Sequence, residues 1–395
     1  MSKRPTIHLK AGEDRRILGG HPWVYSNELQ MSPEVKAIAP GSIVTLRHAD
    51  GRPLGLALFN PKSLISGRLI TRDPAAVIDA AFWQARLERA WKLRERMIGV
   101  PFYRLAHAEA DGLPGCVIDR YGDVFVIDVS SAGMEQQIPH LGAAIDALFN
   151  PRVILVRGDG PARELEGLAP ASHLLKGSLD DAVALQENGA EFLSDPRAGQ
   201  KTGWFYDQRD NRALIARLAA GRTMLDAYCY MGGFAIQALR AGATSALALD
   251  RSAPALALAK RAAVINGVAD QLQTRQSEAF EALAEMSTAR QRFDIVVADP
   301  PAFVKSRKDF HQGAKAYRKL ARLAAQCVAP DGILMLCSCS HNMPADEFLR
   351  QTHRGIQETG RHARLLYHTG AAPDHPVHPG LPESAYLKAL TFAIE

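Results

Sequence analysis

The feature that most constrains the fold is the alternation of short apolar runs with helical segments that begins near residue 200. The runs "RTMLDAYCY", "SALALD", "RFDIVVADPP" and "DGILMLCSCS" are separated by segments with apolar residues at helical spacing. Repeated strand–helix alternation predicts an α/β fold with a parallel, doubly wound sheet and helices on both faces. Ligands of such sheets bind beyond the carboxyl ends of the strands, so the residues after each run are the first candidates for a site.

Acidic residues mark the ends of four successive predicted strands, at Asp226, Asp250, Glu278 and Asp299. Glu278, in "QSEAFEAL", lies near the end of a further predicted strand between "SALALD" and "RFDIVVADPP". Asp250 lies about 20 residues beyond the pair Gly232-Gly233, where a carboxylate can accept hydrogen bonds from ribose hydroxyls. The glycine pair alone suits a tight strand-to-helix turn equally well, so the four carboxylates together carry the inference. Carboxylates suit a ribose and a cationic sulfonium, whereas a pyrophosphate prefers helix N–H groups and cations. The pattern therefore favours S-adenosylmethionine over a dinucleotide.

The predicted cofactor site consists of the residues that end these strands or open the following helices. Glycines allow a close approach of the backbone, and Glu278 can meet an adenine amino group with Phe280 packing nearby. The candidate cofactor-binding residues are Asp226, Tyr228, Gly232, Gly233, Phe234, Asp250, Arg251, Glu278, Phe280, Asp299 and Pro300.

The predicted strand "RFDIVVADPP" ends in Asp299-Pro300-Pro301, with Phe303 close behind. Two prolines stiffen such a loop, and an aromatic ring can stack on a flat base presented to it. A basic segment that can neutralise phosphates follows, although each member also suits an ordinary exposed surface. Its members are Lys305, Arg307, Lys308, Lys315, Arg318 and Lys319.

The last of these strands ends in the doublet Cys337 and Cys339, which lie on the same face of an extended strand. A zinc site is disfavoured, because no second cysteine pair lies at zinc-like spacing. Packing suits Cys337 better than Cys339, which is closer to the carboxyl end. A thiolate that adds to C6 of cytosine makes C5 nucleophilic enough to attack a methyl sulfonium. Cys339 is therefore the candidate nucleophile, and Asp299 the candidate group for the cytosine N3 edge.

Two smaller modules are predicted before the cofactor domain at 196–395. Residues 1–75 contain short strands around the turn Asp50-Gly51 and predict a small barrel. They hold 11 Lys/Arg and 6 Asp/Glu, which equals the net charge of +5 of the whole chain, so a polyanion-binding module competes with an ordinary basic surface. Residues 76–195 predict a strand-strand-helix-strand-strand module that follows an amphipathic helix and ends in a hairpin around Asn188-Gly189.

Composition also predicts the compartment. The chain has five scattered cysteines, no apolar run long enough to cross a bilayer and no apolar core of a signal peptide at its start. We expect a cytoplasmic protein without a membrane partner.

Several stretches, spread nearly end to end, resemble the bacterial and archaeal family of large-subunit (23S) rRNA (cytosine-5)-methyltransferases with an N-terminal PUA domain. They are "GHPWVYSNEL", "DGLPGCVIDRYGDVFVIDVSSAG", "GQKTGWFYDQRDNR", "YMGGFAIQALRAGA", "ADPPAFVKSRKD", "CSCS", "DHPV" and "YLKAL". The resemblance implies a PUA-like RNA-binding barrel, a Rossmann-like class I methyltransferase domain that uses S-adenosylmethionine, rRNA as the partner, and a homodimer. It places the nucleophile on Cys339 and the Asp-Pro-Pro aspartate on Asp299, and implies cofactor or RNA contacts for Lys201, Gln208 and Arg209.

The chain departs from the family pattern at two positions beside the expected substrate. Ala302 stands where the family commonly has lysine, and His341 stands where it commonly has glycine. Two other functions are therefore considered. One is methylation of a base amino group or of guanine without a cysteine nucleophile, and the other is a non-catalytic RNA-binding role in ribosome assembly.

Overall fold

The computed structural model describes residues 4–395, which form two compact units. The first unit comprises Met1–Asp181, Pro196–Trp204 and Pro373–Ser384, and the second comprises Ala182–Asp195, Phe205–Ala372 and Ala385–Glu395. Within the described part of the chain, no helix is long and apolar enough to cross a membrane. The division at 1–75, 76–195 and 196–395 stays a prediction. One part of it differs from the structure, because the hairpin assigned to the central module belongs to the second unit.

The N-terminal part of the first unit is a five-stranded sheet with the order β1-β3-β4-β5-β2. The predicted hairpin is confirmed, since β3 and β4 pair antiparallel around Gly51, whose φ is +90°. Its elements are β1 Thr6–His8, α1 Arg15–Leu18, β2 Trp23–Val24, α2 Pro33–Lys36, β3 Ser42–Arg47, β4 Pro53–Phe59 and β5 Gly67–Thr71.

The rest of the first unit is the predicted amphipathic helix and a second five-stranded sheet with the order β10-β9-β8-β7-β6. The Asp79 carboxylate accepts from the Phe82 N–H at 2.9 Å and so caps the helix. The predicted strand order is incomplete, because "FYRLAH" and "HLLK" are short, carry charges and show no clear alternation, yet form β6 and β10. The elements are α3 Ala80–Ile98, β6 Phe102–His107, β7 Cys116–Tyr121, β8 Val124–Val129, α4 Ala132–Glu135, α5 Ile138–Phe149, β9 Val153–Arg157 and β10 His173–Lys176.

The second unit begins with the predicted hairpin and continues as alternating strands and helices. Asn188 and Gly189, both with positive φ, form the hairpin turn. The elements are β11 Val183–Glu187, β12 Ala190–Ser194, α6 Arg209–Arg217, β13 Thr223–Ala227, α7 Gly233–Arg240, β14 Ser245–Asp250, α8 Ala253–Ile265, β15 Leu272–Gln276, α9 Ala279–Thr288, β16 Phe293–Ala298, α10 Phe310–Gln326, β17 Val328–Ser338, α11 Ala345–Gln357, β18 Ala363–Thr369 and β19 Lys388–Ile394.

The large sheet of the second unit has the order β15-β14-β13-β16-β17-β19-β18. The first five strands are parallel, as predicted. The last two were not predicted: β19 lies antiparallel between β17 and β18. The strand order reverses between β13 and β16, and a reversal of this kind opens a crevice at the carboxyl ends of the strands. The apolar side chains of the sheet and of α9, α10 and α11 form the core beneath that edge.

Candidate active site

The loop between β13 and α7 has an unusual backbone. Tyr228, Tyr230 and Gly232 have φ values of +62°, +50° and +74°, all in the left-handed region. The strand predicted over "RTMLDAYCY" therefore ends at Ala227, because left-handed residues cannot continue a strand. Non-glycine residues in this region cost about 1–3 kcal/mol each, and such strain is concentrated at ligand sites.

Asp250, at the end of β14, holds this loop in place. Its Oδ2 accepts from the Tyr230 N–H at 2.9 Å, and its Oδ1 accepts from the Ser252 N–H at 2.8 Å. A carboxylate oxygen has two lone pairs, so each oxygen can still accept from a ribose hydroxyl. The half-buried Asp250 is thus oriented as a diol acceptor before any ligand binds.

The glycine pair is required by the protein's own packing. A Cβ on Gly233 would lie 2.6 Å from Nε of Arg212, a buried side chain whose Nη1 is 2.6 Å from Oε1 of Glu187. Gly232 takes the left-handed conformation that starts α7. The two glycines shape the loop, and their contact with the cofactor stays a prediction.

Asp226 is fully buried under the same loop. Its Oδ2 accepts from the Ala235 N–H at 3.0 Å, in the first turn of α7, and its Oδ1 has no hydrogen-bond partner among residues 4–395. Burial raises the pKa of Asp226 to about 7, against a smaller opposing effect of the Ala235 hydrogen bond. The structure thus gives Asp226 a supporting contact with the helix that follows the loop.

This burial predicts a pH dependence of stability. Because the folded-state pKa of Asp226 is about 7 and its ordinary value is 3.8, the folded chain binds more protons between those values. The free energy of unfolding contributed by this group is therefore highest below pH 4 and falls as pH rises to 7. Asp226→Asn keeps the acceptor for Ala235 but cannot ionise. In urea unfolding, the free energy of unfolding should fall between pH 5 and pH 7.5, and this fall should be smaller in the variant by about 2 kcal/mol. An unchanged fall would contradict the burial argument.

The neighbouring strand end carries the predicted adenine side of the site. Glu278 is exposed between β15 and α9, while Phe280 is half-buried with its ring 5.8 Å from that of Phe303. Lys319 Nζ lies 5.2 Å from the Phe280 centroid. Arg251 is exposed, and its carbonyl accepts from Gln276 at 3.1 Å. Two aromatic rings therefore connect the cofactor edge to the Asp-Pro-Pro loop.

The Phe234 side chain, in the first turn of α7, is buried, and its ring centroid lies 5.7 Å from the guanidinium carbon of Arg212. The strand order places five polar candidates along one edge of the sheet. Their spatial order is Glu278, Asp250, Asp226, Asp299 and Cys339. Carboxylates for a ribose and an adenine amino group, next to apolar rings, match the chemistry of S-adenosylmethionine. When bound, this cofactor supplies an electrophilic methyl group.

Cys339 stands directly after β17, at the end of this edge. Its side chain is half-buried, and its thiol donates to the Pro300 carbonyl with an Sγ···O distance of 3.9 Å. Cys337 is fully buried, and burial raises its pKa well above the ordinary value, so it stays a neutral thiol. The two cysteines thus differ as the position along the strand predicts, with the more accessible thiol beside the Asp-Pro-Pro loop.

Asp299 is oriented by a chain of side-chain amides that the sequence did not reveal. Gln208 Nε2 donates to Asp299 Oδ2 at 2.9 Å, and Asn211 Nδ2 donates to Gln208 Oε1 at 2.6 Å. Thr369 in turn donates to Asn211 Oδ1 at 2.6 Å. Gln208, predicted to contact cofactor or RNA, therefore has a protein partner at the site. Its place in "QKTGWFYDQRDNR" was the available signal.

The other residues predicted to lie near the cofactor or the RNA differ in burial and in their neighbours. Arg209 is buried, with its guanidinium 5.5 Å from the Tyr206 ring, whereas Lys201 is exposed and belongs to the first unit. Ala302 is half-buried, and His341 is exposed with its ring 5.3 Å from that of Tyr386. The basic segment is exposed as predicted, at Lys305, Arg307, Lys308, Lys315, Arg318 and Lys319.

Removal of the Asp250 carboxylate should weaken cofactor binding. Asp250→Ala deletes both acceptors that fix the loop and the acceptors for the ribose, so we expect the Kd for S-adenosylmethionine to rise by about 100-fold. Isothermal titration calorimetry measures the effect, and Asp270→Ala, at an exposed position after α8, is the matched control. An unchanged Kd for Asp250→Ala would rule out this carboxylate as a cofactor ligand.

Comparisons with known proteins identify the two domain types and the family. A family model described as a PUA-like domain matches residues 7–72, and one described as an S-adenosylmethionine-dependent methyltransferase matches residues 168–393. Ribosomal RNA large subunit methyltransferase I of Pseudoalteromonas atlantica is 35% identical over 394 residues, which cover 99% of each chain. Its namesake from Shewanella denitrificans is 36% identical over 389 residues, 97% of this chain and 98% of that protein.

A solved structure, that of SMU.776 complexed with SAH, has a TM-score of 0.84 and 20% identity, and the match covers 98% of this chain and 100% of that chain. At this identity the likeness shows the fold. The predicted α/β fold with a PUA-like domain before a Rossmann-like methyltransferase domain is confirmed, and so is S-adenosylmethionine as the cofactor. The chain belongs to the family of S-adenosylmethionine-dependent methyltransferases that includes these ribosomal RNA large subunit methyltransferase I proteins.

Proposed function

We propose that this chain methylates carbon 5 of a cytosine in large-subunit (23S) rRNA, with Cys339 as a covalent nucleophile. The relatives are named as large-subunit rRNA methyltransferases, which supports the substrate class. The observation that carries the cytosine-C5 chemistry is the position of Cys339. It is a half-buried thiol at the carboxyl end of β17, in contact with the Asp-Pro-Pro loop. Methylation of an exocyclic amino group needs no thiol at this place.

The proposed reaction begins with attack of the Cys339 thiolate on C6 of the cytosine, which forms an S–C6 bond. The electrons of the C5=C6 bond then make C5 the nucleophile that attacks the methyl carbon of S-adenosylmethionine; the methyl–sulfur bond breaks with its electron pair left on sulfur, so that S-adenosylhomocysteine is the leaving group. Asp299, when it carries a proton, donates to N3 and so stabilises the charge that develops on the ring. Removal of the C5 proton by a water molecule and cleavage of the S–C6 bond, with the proton at N3 returned to the Asp299 carboxylate, restore the C5=C6 double bond and release Cys339 as a thiolate.

Two features of the chain suit an RNA substrate. Exposed lysines and arginines follow the Asp-Pro-Pro loop, and residues 1–75 carry a basic excess. These charges can neutralise backbone phosphates. The rings of Phe280 and Phe303 offer apolar surface beside the loop for a base taken out of its stack. The cytoplasmic location and the homodimer stay predictions.

Product analysis tests the proposed function. Large-subunit rRNA from a strain that lacks the corresponding gene is incubated with the purified protein and isotope-labelled S-adenosylmethionine, then digested to nucleosides for mass spectrometry. The proposal predicts labelled 5-methylcytidine among the nucleosides. Labelled N-methylated nucleosides or labelled methylguanosine would contradict the proposal and support methylation of an amino group or of guanine. Absence of cofactor binding in calorimetry would favour the non-catalytic role.

A further inference from the structure

Lys388 is a buried cation next to the candidate nucleophile. It begins β19, where it pairs with Ser338 of β17, and its side chain is nearly inaccessible to solvent. Its Nζ donates to the carbonyl of Ser340 at 2.7 Å and to that of Met343 at 2.9 Å. Because Ser340 follows Cys339 directly, these bonds hold the ammonium against the backbone that immediately follows Cys339.

Among the described residues 4–395, no ion pair joins Lys388 to a carboxylate, and its hydrogen bonds go to backbone carbonyls. Carbonyl oxygens satisfy its N–H donors but do not neutralise its charge, and a buried ammonium without a counter-charge is unfavourable. Burial lowers the pKa of Lys388 to about 8, while the negative charge of Cys339 raises it. Lys388 is therefore mostly protonated at neutral pH, and its ammonium is electrostatically coupled to the Cys339 sulfur.

Two other titratable groups beside Cys339 carry no positive charge. Cys337 on the same strand and Tyr317 on α10 both have pKa values raised chiefly by burial, so both are neutral near pH 7. Asp299, at the end of β16, acts against a thiolate when it is ionised. An ordinary cysteine is mostly protonated at neutral pH, so a reactive one needs a nearby cation or another source of stabilisation.

We propose that the buried ammonium of Lys388 is the counter-charge that stabilises Cys339 as a thiolate. This inference deepens the proposed function, because it names the residue that prepares the nucleophile, and it rests on that function for its role in catalysis. Lys388 acts through Cys339 and is a positioning residue in this account. The electrostatic effect on the thiol can be measured without RNA or methyl transfer.

A neighbouring network provides a control for geometry. The Tyr317 hydroxyl is 2.8 Å from both the Ser338 and the Ser340 hydroxyls, so it holds the backbone on either side of Cys339. The Val304 N–H donates to Ser340 Oγ at 3.1 Å and ties the loop after Asp-Pro-Pro to the same place. Tyr317→Phe disturbs this framework without removing a charge.

The test is the pH dependence of Cys339 alkylation by iodoacetamide, followed by peptide mass spectrometry on the full-length protein. Lys388→Gln keeps two N–H donors for the carbonyls of Ser340 and Met343 but removes the charge. We expect its labelling midpoint to rise by about one pH unit and its rate at pH 7 to fall by about tenfold. Lys388→Arg, which keeps the charge, should label within about twofold of the unsubstituted protein. Lys36→Met, at an exposed position in α2, is the remote control.

An unchanged midpoint in Lys388→Gln would overturn the inference, as would an equal rise in Lys388→Arg or in Tyr317→Phe, since either would indicate a structural effect. Thermal unfolding of each variant shows that the native fold is being labelled. The outcome is separable from that of the proposed function. If Cys339→Ala abolishes methyl transfer while Lys388→Gln labels normally, the function stands and the role of Lys388 fails. If Cys339→Ala remains active while the labelling midpoint shifts in Lys388→Gln, the electrostatic role of Lys388 stands and the covalent mechanism fails.

Discussion

Cys339→Ala is expected to lower kcat for methyl transfer to rRNA by at least about 10⁴-fold, because without the thiolate C5 of cytosine is too poor a nucleophile. The Kd for S-adenosylmethionine should stay within about twofold, since Cys339 lies at the end of the edge away from Asp250 and Glu278. Single-turnover transfer of a labelled methyl group measures the first quantity, and calorimetry measures the second.

The matched control for this variant is Cys337→Ala. Cys337 is on the same strand and the same predicted face, but it is fully buried and stays a neutral thiol. Its replacement should lower the free energy of unfolding by about 1 kcal/mol and leave kcat within a few-fold. If Cys339→Ala transfers methyl groups as fast as Cys337→Ala does, the covalent mechanism is wrong.

Asp299→Asn is expected to lower kcat by about 10³-fold, because an amide can accept from Gln208 and still not transfer a proton to the ring nitrogen of the base. The retained hydrogen bond should keep the loop in place, so the KM for rRNA should change much less than kcat. Gln208→Ala, which only releases Asp299 from its orienting partner, should cost about tenfold in kcat. Equal losses in kcat for the two variants would assign the effect to loop geometry instead of acid chemistry.

The parallel core of the second unit and the edge that carries the site were predictable because local signals determine them. Buried parallel strands appear as continuous apolar runs, and the carboxyl ends of such strands meet at one edge. Asp250, Glu278, Asp299 and Cys339 therefore lie along one edge for reasons that the sequence pattern contains. The antiparallel insertion of β19 beside β17 was not predictable in this way, because it is a long-range pairing without a local pattern.

The roles of single residues at the site were harder to predict. Tyr228 and Tyr230 have left-handed backbones that their residue type disfavours, and a long-range hydrogen bond from the Tyr230 N–H to Asp250 holds the loop in this conformation. Gln208 and Lys388 are polar residues whose partners are far along the chain, at Asp299 and Ser340. Sequence shows the chemistry of such a residue but not the partner that gives it a role.

The most direct measurement of the central claim is a covalent trap with an rRNA fragment that contains 5-fluorocytidine. Fluorine at C5 cannot leave as a proton does, so the S–C6 bond formed before methyl transfer persists. The account predicts a stable protein–RNA adduct that requires S-adenosylmethionine, maps by mass spectrometry to the peptide containing Cys339, and is absent in Cys339→Ala. Methyl transfer to unmodified RNA without any adduct on the fluorinated RNA, or an adduct that persists in Cys339→Ala, would contradict it.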